Sequence, residues 1–245
     1  MFYKSLILSL FLFFSSLQAD YITEYKMGDE IQKFMYRDAS HSKMVNRGGD
    51  EKSEIYRVGK KVYIVSGSDG DKQIIDVDDM KAMSRSMGFD ASAYAKDAKE
   101  EAKNYKISKT GKRVSVGGVR GELFVVTGTH EGKPYKQEIV MTNNKDVVKS
   151  VRAMFSLFSA MSTMNDSEDL FEVKKGYVPI KSDGMELKSF KSVRIAKSEY
   201  ELPNKAKKQS IPTKQTLEKS QNTQDTDAQQ DTDVGEAINM LKSFF

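Results

Sequence analysis

The chain has 245 residues, with 39 Lys and Arg against 35 Asp and Glu, a net charge of +4, and no Cys. The missing Cys removes disulfides, thiol nucleophiles and Cys-based metal sites, so the fold has to be held by its core alone. Acidic and basic residues are interleaved, which is not the concentrated basic face of a nucleic-acid binder. The densest basic stretch, Lys103 to Arg113 (KNYKISKTGKR), reads as the solvated side of a strand with a turn.

The first element spans residues 1–19. Lys4 forms a charged head, LILSLFLFFSSL an apolar run of roughly 12 residues, and Ala19 a small residue before Asp20. This is the pattern of a cleavable secretory signal peptide, too short for a membrane span of about 20 apolar residues. The expectation is an exported, periplasmic protein of about 225 residues starting near Asp20. With no Cys at the cleavage site, no lipid anchor is expected. The longest later apolar stretch, 147–164, is interrupted by Lys149 and Arg152, so no integral membrane segment is expected in the mature chain.

From Tyr21 the apolar residues recur at every second position. Tyr21–Lys26, Ile31–Tyr36, Ser42–Arg47, Lys52–Val58, Lys61–Ser66 and Lys72–Val77 each have strand length and end in Gly or Asp turns. Six such strands predict an antiparallel meander. The period then changes. Met80, Met83 and Met87 fall at i, i+3 and i+7, one face of a helix that starts at Asp78-Asp79 and stops at Gly88. Residues 91–105, rich in Ala, Lys and Glu, predict a second helix.

Strands resume at Val114–Val116, Val119–Thr129 and Tyr135–Thr142. Asn144 then caps a long helix on which Val147, Val151, Met154, Phe158 and Met161 form one stripe. Four short strands follow: Leu170–Val173, Val178–Ile180, Met185–Phe190 and Val193–Ala196. The domain, 20–203, should close at Leu202-Pro203. Residues 204–232 are Lys-, Gln-, Thr- and Asp-rich, too poor in apolar groups to offset their ordering entropy, and predict a disordered polar linker. Residues 233–245 regain an amphipathic pattern, with Val234, Ile238, Leu241 and Phe245 among the apolar positions and Asp233 with Glu236 as a capping box. A helix this short folds only by docking its apolar face.

The segments YITEYKM, KSEIYRVGKKVYIV, TGKRVSVGGVRGELFVVTGTHEGKPYKQEIVMTN with VVKSVRAMFSLFSAM behind it, and SEYELP together cover most of 21–202. They resemble an exported bacterial family of unknown function, similar in plan to the periplasmic lipoprotein carrier and the outer-membrane lipoprotein receptor. The resemblance implies an α+β fold, a strongly curved antiparallel sheet forming an incomplete barrel with helices over its open side. It implies a hollow suited to acyl chains. It transfers no ligand residue position by position.

No catalytic set assembles. His41 and His130 lack convergent partners in sequence. Asp76, Asp78 and Asp79 lack the calcium-loop pattern and suit a helix N-terminus. Gly117-Gly118-Val119-Arg120-Gly121 lacks the Lys-Ser/Thr of a nucleotide loop. The expectation is a non-enzyme with no cofactor and no metal. Met80, Met83, Met87, Met154, Phe158 and Met161 are the candidate apolar-pocket residues. They serve equally as core filler, because flexible, polarizable Met does both. Two functions remain: a soluble periplasmic binder of a lipid or other apolar ligand, or an interaction module whose C-terminal helix docks on a periplasmic or envelope protein through Val234, Ile238, Leu241 and Phe245.

Overall fold

The computed structural model describes residues 19–47, 53–68, 71–86, 104–130, 132–161 and 175–209. The predicted meander is present. Strands β1 (Asp20–Met27), β2 (Glu30–Asp38), β3 (His41–Arg47), β4 (Ser53–Val58), β5 (Lys61–Ser66) and β6 (Gln73–Asp76) pair in succession, all antiparallel. Val77, read from sequence as the end of the sixth strand, instead opens helix α1 (Val77–Ser86). Asp76 makes the switch. Its Oδ1 accepts the Asp78 N–H at 3.0 Å while Lys61 Nζ sits 2.6 Å from Oδ2. Asp78 and Asp79 then lie in the first turn, where the helix dipole favours negative charge.

Next come β7 (Lys106–Val116), β8 (Val119–His130), β9 (Lys133–Thr142), helix α2 (Lys145–Met161), β10 (Val178–Ser182) and β11 (Met185–Val193). Asn144 caps α2 as expected: its Oδ1 accepts the N–H groups of Asp146 and Val147 at 3.1 and 3.3 Å. Two boundaries differ from expectation. β7 begins at Lys106 rather than at Val114, because a register shift between Lys109 and Arg113 interrupts the alternation. There Thr110 donates to the Leu123 carbonyl at 2.9 Å and accepts from the Lys112 N–H at 3.2 Å. A bulge and exposed lysines on an edge strand protect it from pairing with other chains. β11 runs unbroken to Val193, which pairs with Asp20. Of the predicted helix 91–105, residues 91–103 lie outside the described residues, and Tyr105 is not helical. The predicted strand Leu170–Val173 also lies outside them.

With a short last strand, β12 (Lys207–Lys208), the twelve strands form one sheet in the order β12-β6-β5-β4-β3-β2-β1-β11-β10-β9-β8-β7, and it does not close into a barrel. It does curl. The two-residue turn between β7 and β8, Gly117 (φ 56°) and Gly118 (φ 80°), needs the left-handed backbone that glycine adopts without strain. That turn lies against β11, three strands away in the sheet order. A Cβ on Gly117 would stand 2.6 Å from the Leu187 carbonyl oxygen.

One face of the sheet carries the main core. Thr23, Phe34, Met44, Ile55, Ile64 and Ile75 are direct cross-strand neighbours from β1 to β6. All six are buried, and the five apolar ones join Tyr25, Ile180, Leu187, Val147, Val151, Met154 and Leu157 in one cluster. Each fully buried aliphatic side chain stabilises by about 1.5–3 kcal/mol relative to exposure.

The opposite face is covered by the chain beyond β11. Asp20, 2% exposed, holds Arg37 through two bonds of 2.9 Å and accepts the Ile195 N–H at 2.8 Å. Arg37 also donates to the Ile195 carbonyl at 2.6 Å and lies 4.6 Å over the Tyr200 ring. Tyr200, in a 3-10 turn (Lys197–Tyr200), packs on Met35 and Val45. Leu202 and Ala206 then cover Tyr56, Val65 and Ile74. Beneath this strap the buried pair Lys43 and Glu54 is 3.3 Å apart, and Tyr56 donates to Glu54 at 2.7 Å. The strap ends as β12 (Lys207–Lys208), which pairs in parallel with Gln73 and Ile74. Residues 204–209, assigned by composition to the polar linker, are therefore part of the folded domain. Lysines suit this place because they add an edge strand through backbone bonds while their side chains stay in water.

Candidate functional site

Helix α2 lies across the strands rather than along them, and its contacts define the site. Tyr21 of β1 donates to Asp146 at 3.0 Å, Lys149 stands 5.6 Å over the ring of Tyr36 on β2, and Arg57 of β4 donates to the Ser156 carbonyl at 3.2 Å. Residues 146 to 156 advance about 15 Å along a helix. Three interstrand spacings from β1 to β4 advance about 14 Å. The match places each turn of α2 over one strand. A second row is tied by the buried hydroxyl pair Thr23 and Ser150, 2.8 Å apart.

Four of the six sequence-predicted pocket residues meet in this core. Met80 of α1 and Met154 of α2 are buried within the same cluster, and Phe158 and Met161 are half-buried against it. Met83 is buried on α1 but does not join that cluster. Met87 lies outside the described residues, as do Val234, Ile238, Leu241 and Phe245. Burial along α2 is graded: Val147, Val151 and Met154 are at 0% exposure, whereas Phe158, Ala160 and Met161 toward the C-terminus are only partly covered.

The row Tyr21, Tyr36, Ser42, Arg57, running directly across β1 to β4, was missed by sequence reasoning. Each is a single polar or amphipathic residue in an alternating strand, and nothing local marks it. Tyr36 is held above the ordinary tyrosine pKa by burial and secondarily by the charge of Asp38. Tyr21 is raised by burial and by its bond to Asp146. Of the histidines, the His41 Nδ1 sits 2.9 Å from Asp38 Oδ1 at the β2–β3 turn, and the side chain of His130 lies outside the described residues. Among the described residues, no group of three or more His, Asp or Glu is arranged to hold a metal. No helix among them is long and apolar enough to cross a membrane.

No protein-family model, curated protein or solved structure matches the chain.

Proposed function

We propose that this is an exported, non-enzymatic protein that binds an apolar or acyl-chain ligand between its curled sheet and the two helices. In this reading the sheet is an incomplete barrel, and α1 and α2 lie over its open side. The supporting observation is the graded burial of α2. Its first turns are locked into the sheet, while Phe158, Ala160 and Met161 pack incompletely against the same cluster that includes Met80 of α1. Met and Phe side chains re-pack around variable apolar shapes, and an acyl chain would complete their contacts. The resemblance to lipoprotein carriers points the same way.

The experiment is native mass spectrometry with lipid extraction on the chain purified from its own periplasm. The expected result is a co-purifying lipid-sized adduct that exchanges with added fatty acid. A protein without adduct that also fails to bind a fluorescent apolar probe would overturn the reading.

A further inference from the structure

The seam between α2 and strands β2 to β4 has a polar character that packing does not require. Ser42 is 1% exposed, and its buried Oγ has no hydrogen-bond partner among the described residues. Leaving a buried hydroxyl unpaired is costly. Directly across the strand pair stands Arg57, half-buried. Its Nη2 donates to the carbonyl and Oγ of Ser156 at 3.2 and 3.3 Å, and among the described residues it meets no carboxylate. On the other side of Ser42 is Tyr36, with exposed Lys149 above its ring. Lys149 likewise has no carboxylate partner among the described residues.

The two acids near the seam are already engaged. Asp146 accepts from Tyr21, and Asp38 accepts from the Ser40 N–H at 2.7 Å and faces His41. Ala153 is the residue of the same α2 stripe that the register sets over β3. By that spacing a small helix side chain falls over the small Ser42 of the sheet, between the two cations.

We propose that Arg57, Ser42 and Lys149 form the subsite for an anionic headgroup, a carboxylate or phosphate, on the amphiphile whose chain the helix-covered core takes. Among the described residues the Arg57 guanidinium is engaged through Nη2 alone, so its Nε–H and Nη1–H groups remain as donors for such an oxyanion. Ser42 supplies a hydroxyl at the floor and Lys149 a charge at the mouth, where the seam opens to water. From Ser156 the apolar residues Phe158, Ala160 and Met161 lie within the next two turns of α2, so a headgroup at Arg57 directs the chain toward that half-buried end of the helix. This rests on the apolar-ligand reading above and narrows it to single-headed anionic amphiphiles.

The test uses the purified full chain, stripped of lipid, and displacement of a fluorescent apolar probe at pH 7. The competitors are palmitate, palmitoyl lysophosphatidate, hexadecanol, acetate and inorganic phosphate. Palmitate or the lysophosphatidate should bind at least about tenfold tighter than hexadecanol, and the tighter of the two identifies the headgroup. Arg57→Gln should erase that preference, so that palmitate, the lysophosphatidate and hexadecanol bind alike, with an unchanged far-ultraviolet circular dichroism spectrum reporting an intact fold. Arg57→Lys should retain part of it. Ser42→Ala removes the orphan hydroxyl, so it should fold well yet lose roughly tenfold for the anionic amphiphile alone. Equal binding of palmitate, lysophosphatidate and hexadecanol would overturn the headgroup subsite and leave the apolar-ligand reading standing. Acetate or phosphate binding as tightly as the amphiphiles would also overturn it. Failure of every amphiphile, hexadecanol included, would overturn both.

Discussion

The two faces of the sheet are covered in different ways. The strap side is held by charge in low dielectric: Asp20 with Arg37, and Lys43 with Glu54. Each ion is also satisfied by a neutral group, the Ile195 backbone in one case and Tyr56 in the other. The helix side is held by apolar packing and by neutral or partly exposed polar contacts, Thr23 with Ser150 and Arg57 with Ser156. Losing one partner of a buried ion pair strands a charge, so the strap is an all-or-none cover. Apolar surfaces with a few hydroxyl contacts lack that penalty. On the proposed reading a ligand would replace part of the helix contacts and leave the strap in place. The difference would then assign permanence to one face and exchange to the other.

The largest effect should come from breaking the charged side. Arg37→Met leaves the Asp20 carboxylate buried without its cation and should cost about 3–5 kcal/mol in urea unfolding at pH 7. A loss below about 1 kcal/mol would mean that the strap is not held there, because exposed pairs are worth that little. On the helix side, Met154→Ala empties a fully buried site and should cost about 2–5 kcal/mol. If the helix face is the exchangeable one, saturating palmitate should stabilise both variants, because it binds the folded state alone, but Met154→Ala by more than Arg37→Met, because only there can the ligand also fill the space the substitution opens.

These contrasts were only partly legible in the sequence. Strand alternation from Tyr21 to Ile75 and the stripe Val147, Val151, Met154 are short-range patterns, and each produced the element expected of it. The strap carries no such pattern. Ile195, Tyr200, Leu202 and Ala206 are spaced irregularly because they follow the path of a crossing chain, and neither the helical nor the strand period applies. Composition made 204–209 look like linker, since Lys207 and Lys208 contribute backbone bonds to β6 and no apolar side chain. The clasp joins Asp20 to residues 17 and 175 positions away, a distance at which local reading is silent. The proposed subsite was illegible in the sequence for a related reason. Ser42 and Arg57 become neighbours only through strand register, and α2 reaches them only because it crosses the strands.

Acid should expose the same contrast more gently. Burial by itself raises the Asp20 carboxyl. Hydrogen bonds from Arg37 and Ile195 and the charges of Arg37 and Arg194 outweigh it and hold the pKa below the ordinary 3.8. A carboxyl depressed in the folded state adds stability above its unfolded pKa and loses it as pH falls through the folded value. The strap-side contribution should therefore be complete at pH 5 and decline below about pH 4. Urea midpoints at pH 5, 4 and 3 should fall less steeply for Asp20→Asn than for the parent. Parallel declines would place the acid sensitivity elsewhere.

The smallest effect tests the neutral side. Thr23→Val leaves the Ser150 hydroxyl buried and alone, at a cost of about 1–2 kcal/mol, and Ser150→Ala strands Thr23 similarly. The double variant removes both polar groups, so its cost should fall below the sum of the two, with a coupling of about 1 kcal/mol. The matching cycle on Asp20 and Arg37 should give a coupling several times larger, since there the stranded group is an ion. Such a ratio would express the two covers as energies: one bond a ligand-driven shift of α2 can afford to break, and one it cannot. Equal couplings would remove the asymmetry, and with it the reason for placing exchange on the helix side.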